Sequence, residues 1–201
     1  MFPKVTQASD LIRTASENLR AISEGPYPAA IGEAVALLSS ALTSGNKLLA
    51  FGNGGSAADA QHLCAELVGR FAIERRPLAA LALTTNQALL TAWSNDYRFD
   101  DVFARQVEAL GRAGDVALGI STSGNSANVV NALQRARELG LRTIGLTGAG
   151  GGKMAQHCEV LMAVPLLDTP RIQEVHLVTY HAICAALEER LFGCENARQD
   201  K

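Results

Sequence analysis

With 201 residues, 48% of them hydrophobic and 19% charged, the chain has the balance of one globular domain with a sizeable core, not of a disordered or fibrous protein. A formal net charge of −2 leaves no broad cationic surface for nucleic acid or an acidic membrane. The apolar runs are strand-length, well short of the ~20 residues that a membrane span needs.

The opening segment MFPKVTQASDLIRTASENLR carries Lys4, Asp10, Arg13 and Glu17 without a continuous apolar stretch, so it does not read as a signal peptide. Cys64, Cys158, Cys184 and Cys194 show no C-x-x-C spacing, which suggests neither a zinc knuckle nor a redox pair. Reduced thiols and a cytoplasmic location follow as the expectation. Helical periodicity covers 7–23 (Leu11, Ile12, Ala15, Leu19, Ile22) and 29–44 (Ala30, Ala34, Leu37, Leu38, Ala41), separated by Gly25, Pro26 and Pro28. After Gly45 short apolar strands alternate with longer helical segments. The predicted strands are 47–52, 78–83, 115–120, 142–147 and 160–164, each apolar throughout as parallel strands buried on both faces are. The predicted helices are 56–71, 86–110 with a break near Asn95, 125–139 and 170–191. This alternation predicts an α/β domain over 45–193: a doubly wound, parallel five-stranded sheet flanked by helices. The helical pair of residues 1–44 then has no room on a sheet already flanked by four helices, and is expected to pack on another copy of the chain. The polar tail 194–201 is expected to be disordered.

Ligands of such sheets bind beyond the carboxyl ends of the strands. Three loops fall there: GNGGS (52–56), STSGNS (121–126) and TGAGGG (147–152). GAGGGK (148–153) suggests a Walker loop, but Thr147 stands where its first glycine belongs and Met154 where its Ser or Thr belongs. Gly52, Gly54 and Ala57 loosely fit a dinucleotide fingerprint, yet the next strand ends LALTTN without the acid that grips a ribose. No nucleotide cofactor is expected. STSGNS offers the hydroxyls of Ser121, Thr122, Ser123 and Ser126 together with helix-opening amides, more than a helix cap uses. With no Lys or Arg beside it, this loop suits a single phosphate monoester rather than a triphosphate with magnesium.

His62 and Glu66 lie four apart on the helix after GNGGS, hence on one face. They can share a metal, serve a substrate, or merely stabilise the helix by a few tenths of ~1 kcal/mol. On the last helix, opened by DTPRIQEVHLVTYH, His176 and His181 diverge by ~140° and cannot both face one site. Spacing alone leaves open which of them is the packing residue.

Taken together, GNGGSAADAQH (52–62), Glu66, Asn95-Asp96, STSGNS (121–126), TGxxGGxM (147–154) and RIQExHxxxxH (171–181) resemble the phosphoheptose isomerases of the sugar-isomerase (SIS) fold, from about Gly45 to Phe192. The resemblance implies conversion of sedoheptulose 7-phosphate to D-glycero-D-manno-heptose 7-phosphate, on the way to bacterial lipopolysaccharide and other heptose-containing glycans. It implies substrate contacts from Asn53, Gly54, Gly55, Ser56, Glu66, Asn95, Asp96, Ser121, Thr122, Ser123, Ser126 and Gln173. It makes Glu66 the base and His181 its acid/base partner, and gives one zinc per subunit to His62, Glu66, Gln173 and His181; the apolar stripes of the N-terminal pair are the ground for expecting a homotetramer with sites at subunit boundaries. On this basis His181 is functional and His176 packs. Trp93 departs from the smaller residue expected ahead of Ser94-Asn95-Asp96 and bears on pocket shape. A non-catalytic SIS-fold regulator is the alternative reading. The resemblance implies that such a regulator, the replication-initiator-binding relative, lacks the acid at position 66 and the imidazole at position 181, both of which are present here; a different sugar-phosphate isomerase of the same fold is the other alternative.

Overall fold

The computed structural model describes residues 7–196, with side chains described as far as Gly193. In chain order the elements are α1 (Ala8–Ser23), α2 (Tyr27–Thr43), β1 (Leu48–Gly52), α3 (Gly55–Val68), β2 (Ala80–Ala82), α4 (Gln87–Asp96), α5 (Val102–Leu110), β3 (Val116–Ser121), α6 (Ala127–Glu138), β4 (Arg142–Thr147), β5 (Val160–Ala163) and α7 (Thr169–Asn196). Short 3-10 turns cover Phe99–Asp101 and Gly152–His157. The break expected near Asn95 falls at Tyr97, whose backbone (φ −131, ψ −111) leaves the helical region. Asn86 opens α4 by accepting a hydrogen bond from the Leu89 amide at 3.1 Å.

All the strand pairs are parallel, in the order β2-β1-β3-β4-β5. β1 and β3 are buried along their whole length, which is why LLAFG and VALGIS carry no polar alternation. The chain steps outward from β1 to β2, then returns to the other side of β1 to begin β3. This reversal opens a crevice outside the carboxyl ends of β1 and β3. The register pairs Gly52 with Ile120, so loops 52–56 and 121–126 leave the sheet side by side.

Each face of the sheet has its own core. On one face α2, α3 and α7 bury Leu38, Leu63, Ile183 and Leu187 against Leu48, Leu118 and Met162. On the other, Val102, Phe103 and Val107 of α5 and Val129 and Leu133 of α6 close over Leu49, Phe51 and Ala117. The place of α2 corrects the expectation for the N-terminal pair. Ala34 and Leu38 are fully buried within their own chain, and α2 packs on α7 and β5. The sheet has room because only α3 and α7 otherwise occupy that face. α1 fits the expectation better, with Leu11 41% and Ile12 71% exposed.

Glu188 of α7 fastens the chain after α3. Its carboxylate accepts the amides of Phe71, Ala72 and Ile73 at 2.9, 2.8 and 3.1 Å and the Arg75 Nε at 3.0 Å. Burial alone would raise the Glu188 carboxyl, but the three amides and the guanidinium outweigh it and hold the pKa below its ordinary value. Arg75 in turn donates to the Glu66 and Leu67 carbonyls at 2.7 and 2.8 Å, tying the last turn of α3 to α7. α7 continues as helix to Asn196, so the first residues of the expected disordered tail are helical; residues 197–201, like residues 1–6, lie outside the described range. Among the described residues no helix is long and apolar enough to cross a membrane.

Candidate active site

Two polar groupings make up the candidate site. One is a loop of hydroxyls at the end of β3; the other is the seam along which α3 and α7 run side by side.

In the loop, Ser121 Oγ lies 2.9 Å from Ser126 Oγ and 3.5 Å from Ser123 Oγ. Ser126 is the N-cap residue of α6, yet its side chain makes no capping bond. The hydroxyl cluster therefore exists apart from the needs of the helix. Gly124 adopts φ +66, and a methyl group there would collide with the Gly151 carbonyl. The Gly148, Met154 and Lys153 amides donate to Thr122 O, Gly124 O and Asn125 Oδ1 at 3.0, 2.9 and 3.0 Å. The glycine-rich 148–153 segment is thus a buttress beneath the serine loop, with glycines where two backbones touch. Beside it, Asn53 and Asn128 exchange amide hydrogen bonds at 2.8 and 2.9 Å, joining the β1 loop to the first turn of α6. Gly52, Asn53 and Gly54 line a recess of about 180 Å³ with Thr84, Leu90, Phe99 and Phe103.

Along the seam, a side chain at Gly55 would collide with Gln173 Nε2, which places the Gln173 amide at the start of α3. Farther along, His62 and His181 meet edge to face with ring centroids 5.1 Å apart. The two helices therefore run parallel, 55 beside 173 and 62 beside 181. His62 Nε2 is 3.0 Å from Glu66 Oε1, the contact the four-residue spacing anticipates. His62 Nδ1 is 2.9 Å from the Tyr180 hydroxyl. His181 also packs against Phe71 at 5.4 Å, and its Nε2 is buried without a hydrogen-bond partner. Asp59, one turn before His62, has a buried Oδ2 that is likewise unpartnered. Burial pushes the Asp59 carboxyl up to about 6, with the nearby Tyr180 hydroxyl and then His62 opposing the rise.

The structure thus gathers His62, Glu66 and His181, and it gathers Asn53, Ser121, Ser123 and Ser126 on the neighbouring loops. Gly54, Gly55 and Ser56 form the turn between these groups, and Thr122 lends its carbonyl to the buttress. Gln173 stands apart from His181, two turns back along α7 against Gly55, so within one chain the four expected zinc donors do not converge. Asn95 and Asp96 end α4 exposed and bonded to each other at 2.9 Å, away from the serine loop. His176 is fully buried, with Nε2 3.3 Å from the Thr147 carbonyl, and burial pushes its pKa down to about 4; it is the packing histidine. Cys64 and Cys184 are buried in the core, and burial pushes both thiols up to about 12, so neither offers a thiolate. Trp93 stacks on Tyr97 at 4.3 Å with Arg105 5.1 Å from its ring. It borders a groove of about 380 Å³ lined by ion-paired Arg105, Arg135, Glu108 and Glu138, outside the crevice.

Tyr180, Asp59 and Asn128 join these groups although no sequence motif names them. Asp59 sits three residues before His62 on one helical face, and that spacing was the available signal. Tyr180 carried none, because its partner is 118 residues away.

Residues 10–148 match the family model of the SIS domain. The chain is 54% identical over 187 residues to a phosphoheptose isomerase of Pelobacter propionicus, covering 92% of this chain and 99% of that protein. The solved phosphoheptose isomerase GmhA of Neisseria gonorrhoeae superimposes with a TM-score of 0.83 at 46% identity, covering 90% of this chain and 98% of that one. That of Francisella tularensis gives 0.87 at 34% identity, covering 94% and 100%.

Proposed function

This chain belongs to the phosphoheptose isomerases of the SIS-domain family, and from that premise we propose that Glu66 and His181 carry its aldose–ketose isomerisation. The substrate is sedoheptulose 7-phosphate and the product D-glycero-D-manno-heptose 7-phosphate. The observation that carries the assignment is the α3–α7 seam: a carboxylate and two imidazoles, one with an unpartnered ring nitrogen, gathered on two helices whose first turns meet at Gly55 and Gln173.

The chemistry follows from the substrate. Moving a carbonyl from C2 to C1 requires removal of a proton from C1, an enediol, and return of a proton to C2. The carboxylate of Glu66 takes the C1 proton and delivers it to the same face at C2. His181 exchanges the proton between O1 and O2, a task suited to imidazole because its ordinary pKa is ~6.5. Ser121, Ser123 and Ser126 with the opening amides of α6 hold the 7-phosphate, and Asn53, fixed by Asn128, orients the sugar hydroxyls. Asn95, Asp96 and Gln173 are assigned as further substrate contacts by the resemblance alone; within one chain they stand apart from the other groups.

Zinc fits the donor chemistry of the seam, since imidazole nitrogen and carboxylate oxygen both suit it and His181 Nε2 lacks a partner. Against a ready-made site, no group of three His, Cys, Asp or Glu side chains is arranged for a metal among the described residues. His62, Glu66 and His181 are the ligands we assign, with Gln173 needing a rearrangement to join them. When bound, zinc would polarise the substrate's carbonyl or hold the site in order. A homotetramer accords with the exposed Leu11 and Ile12 of α1. A cytoplasmic location accords with a phosphorylated sugar that does not cross membranes. Incubation with sedoheptulose 7-phosphate, with and without a chelator, tests the proposal: the aldose should accumulate, and its absence under both conditions would refute it.

A further inference from the structure

We propose that the buried Arg75–Glu188 ion pair is a latch that sets the distance between Glu66 and His181, with Phe71 as the part of it that touches His181. The inference rests on the reading of Glu66 and His181 as the two proton-handling groups. Arg75, Glu188 and Phe71 act through them and are positioning residues.

A guanidinium has five N–H donors and a carboxylate two acceptor oxygens. Arg75 Nε donates to Glu188 Oε1 at 3.0 Å and Nη2 to the Glu66 carbonyl at 2.7 Å. Its Nη1 serves the Leu67, Gly69 and Arg76 carbonyls at 2.8, 3.1 and 3.1 Å. Glu188 Oε1 also accepts the Phe71 amide, and Oε2 the Ala72 and Ile73 amides, at 2.9, 2.8 and 3.1 Å. The two side chains are only 1% and 4% exposed, so water does not compete for these bonds. A buried charge pair satisfied in this way is held in one geometry, and losing either partner is costly.

What the pair holds is the reacting geometry. Arg75 binds the peptide carbonyl of Glu66 itself, one of those that a helix end leaves without an internal partner. Glu188 lies seven residues after His181, two turns along the same face of α7. The amides it fixes open with that of Phe71, whose ring packs on His181 with centroids 5.4 Å apart. His181 Nε2 has no hydrogen-bond partner, so packing against Phe71, His62 and Tyr180 holds the ring. One proton-handling group is thus fixed through its backbone and the other through Phe71. A misplacement of ~1 Å at such a site costs ~10²-fold in rate.

Asp115 supplies the control. Its side chain is equally buried, pairs with Lys47 and accepts the Lys47 and Arg112 amides at 3.0 and 2.8 Å. It directly precedes β3, at the end of the sheet away from the crevice.

The test measures kcat, KM and melting temperature for sedoheptulose 7-phosphate with full-length variants, each assayed well below its own melting temperature. Arg75→Lys keeps the charge and loses the fork; Phe71→Leu keeps the amide that Glu188 holds and loses the ring. Each should lower kcat ~10- to 100-fold with KM changed less than about twofold. Asp115→Asn should lower the melting temperature and leave kcat unchanged. If Arg75→Lys does not fold, Phe71→Leu decides. Wild-type kcat in either folded variant, with Glu66→Gln slow, overturns the latch alone. A comparable loss of kcat in Asp115→Asn also overturns it, because lost stability would then account for the others. Wild-type turnover by both Glu66→Gln and His181→Asn would remove the reading beneath the proposal, and the proposal with it.

Discussion

The serine loop and the α3–α7 seam are built in opposite ways. In the loop the Ser121, Ser123, Ser126 and Asn125 side chains are held by near neighbours, with the 148–154 backbone packed beneath. The seam is assembled from helices more than a hundred residues apart and keeps buried polar atoms without partners at Asp59 and His181. An unpaired buried polar atom costs ~1–3 kcal/mol, and Trp93 Nε1, Thr147 Oγ1 and His176 Nδ1 are further instances outside the proposed site. On the proposed assignment, binding belongs to the serine loop and proton transfer to the seam.

The largest effects should therefore come from the seam and appear in turnover. His181→Asn should reduce kcat by ~10²–10⁴ while substrate still binds. Equal losses in binding and turnover, read by calorimetry and steady-state kinetics, would erase the division between the two regions. His176, on the same helix but facing the sheet, should separate stability from catalysis. Its folded pKa, pushed down to about 4 by burial, lies below the ordinary ~6.5 of the unfolded chain. The folded state thus resists protonation: stability is complete above ~6.5 and declines as pH falls from there toward 4, by up to ~3 kcal/mol. Denaturant melts across this range should show the decline, and His176→Gln should flatten it.

The serine loop should respond in affinity instead. Ser123→Ala removes a donor to a charged acceptor, a loss of ~1.5–3 kcal/mol in phosphate or substrate binding, with the melting temperature little changed. Lys153→Ala should be the mildest of these changes, within ~0.5 kcal/mol, because this residue serves the loop through its backbone amide rather than its ammonium. A larger effect on binding from Lys153→Ala than from Ser123→Ala would invert the assignment of loop and buttress.

The contrast also explains what could be read without the structure. The strands and the serine loop are local: an apolar run followed by hydroxyls and a glycine carries its own instructions, and the boundaries moved by only a few residues. His62 and Glu66 were legible for the same reason, since a helix fixes what lies four residues away. The neighbourhood of His181 was not, because Tyr180 and Phe71 reach it only once α3 and α7 pack. The misplaced expectation was α2. Its apolar stripe was visible, but which surface it covers depends on how helices divide between the two faces of the sheet, and the strand order decides that.

The central claim is that Glu66 moves the proton between C1 and C2. The most direct measurement is turnover of sedoheptulose 7-phosphate in D₂O by the wild type and by Glu66→Gln, with the product's C2 position read by NMR. The account predicts deuterium at C2 from the wild type, to the extent that the base exchanges with solvent, and a rate ~10²–10⁴-fold lower for Glu66→Gln with substrate still bound. A Glu66→Gln protein that forms the aldose at the wild-type rate would contradict it.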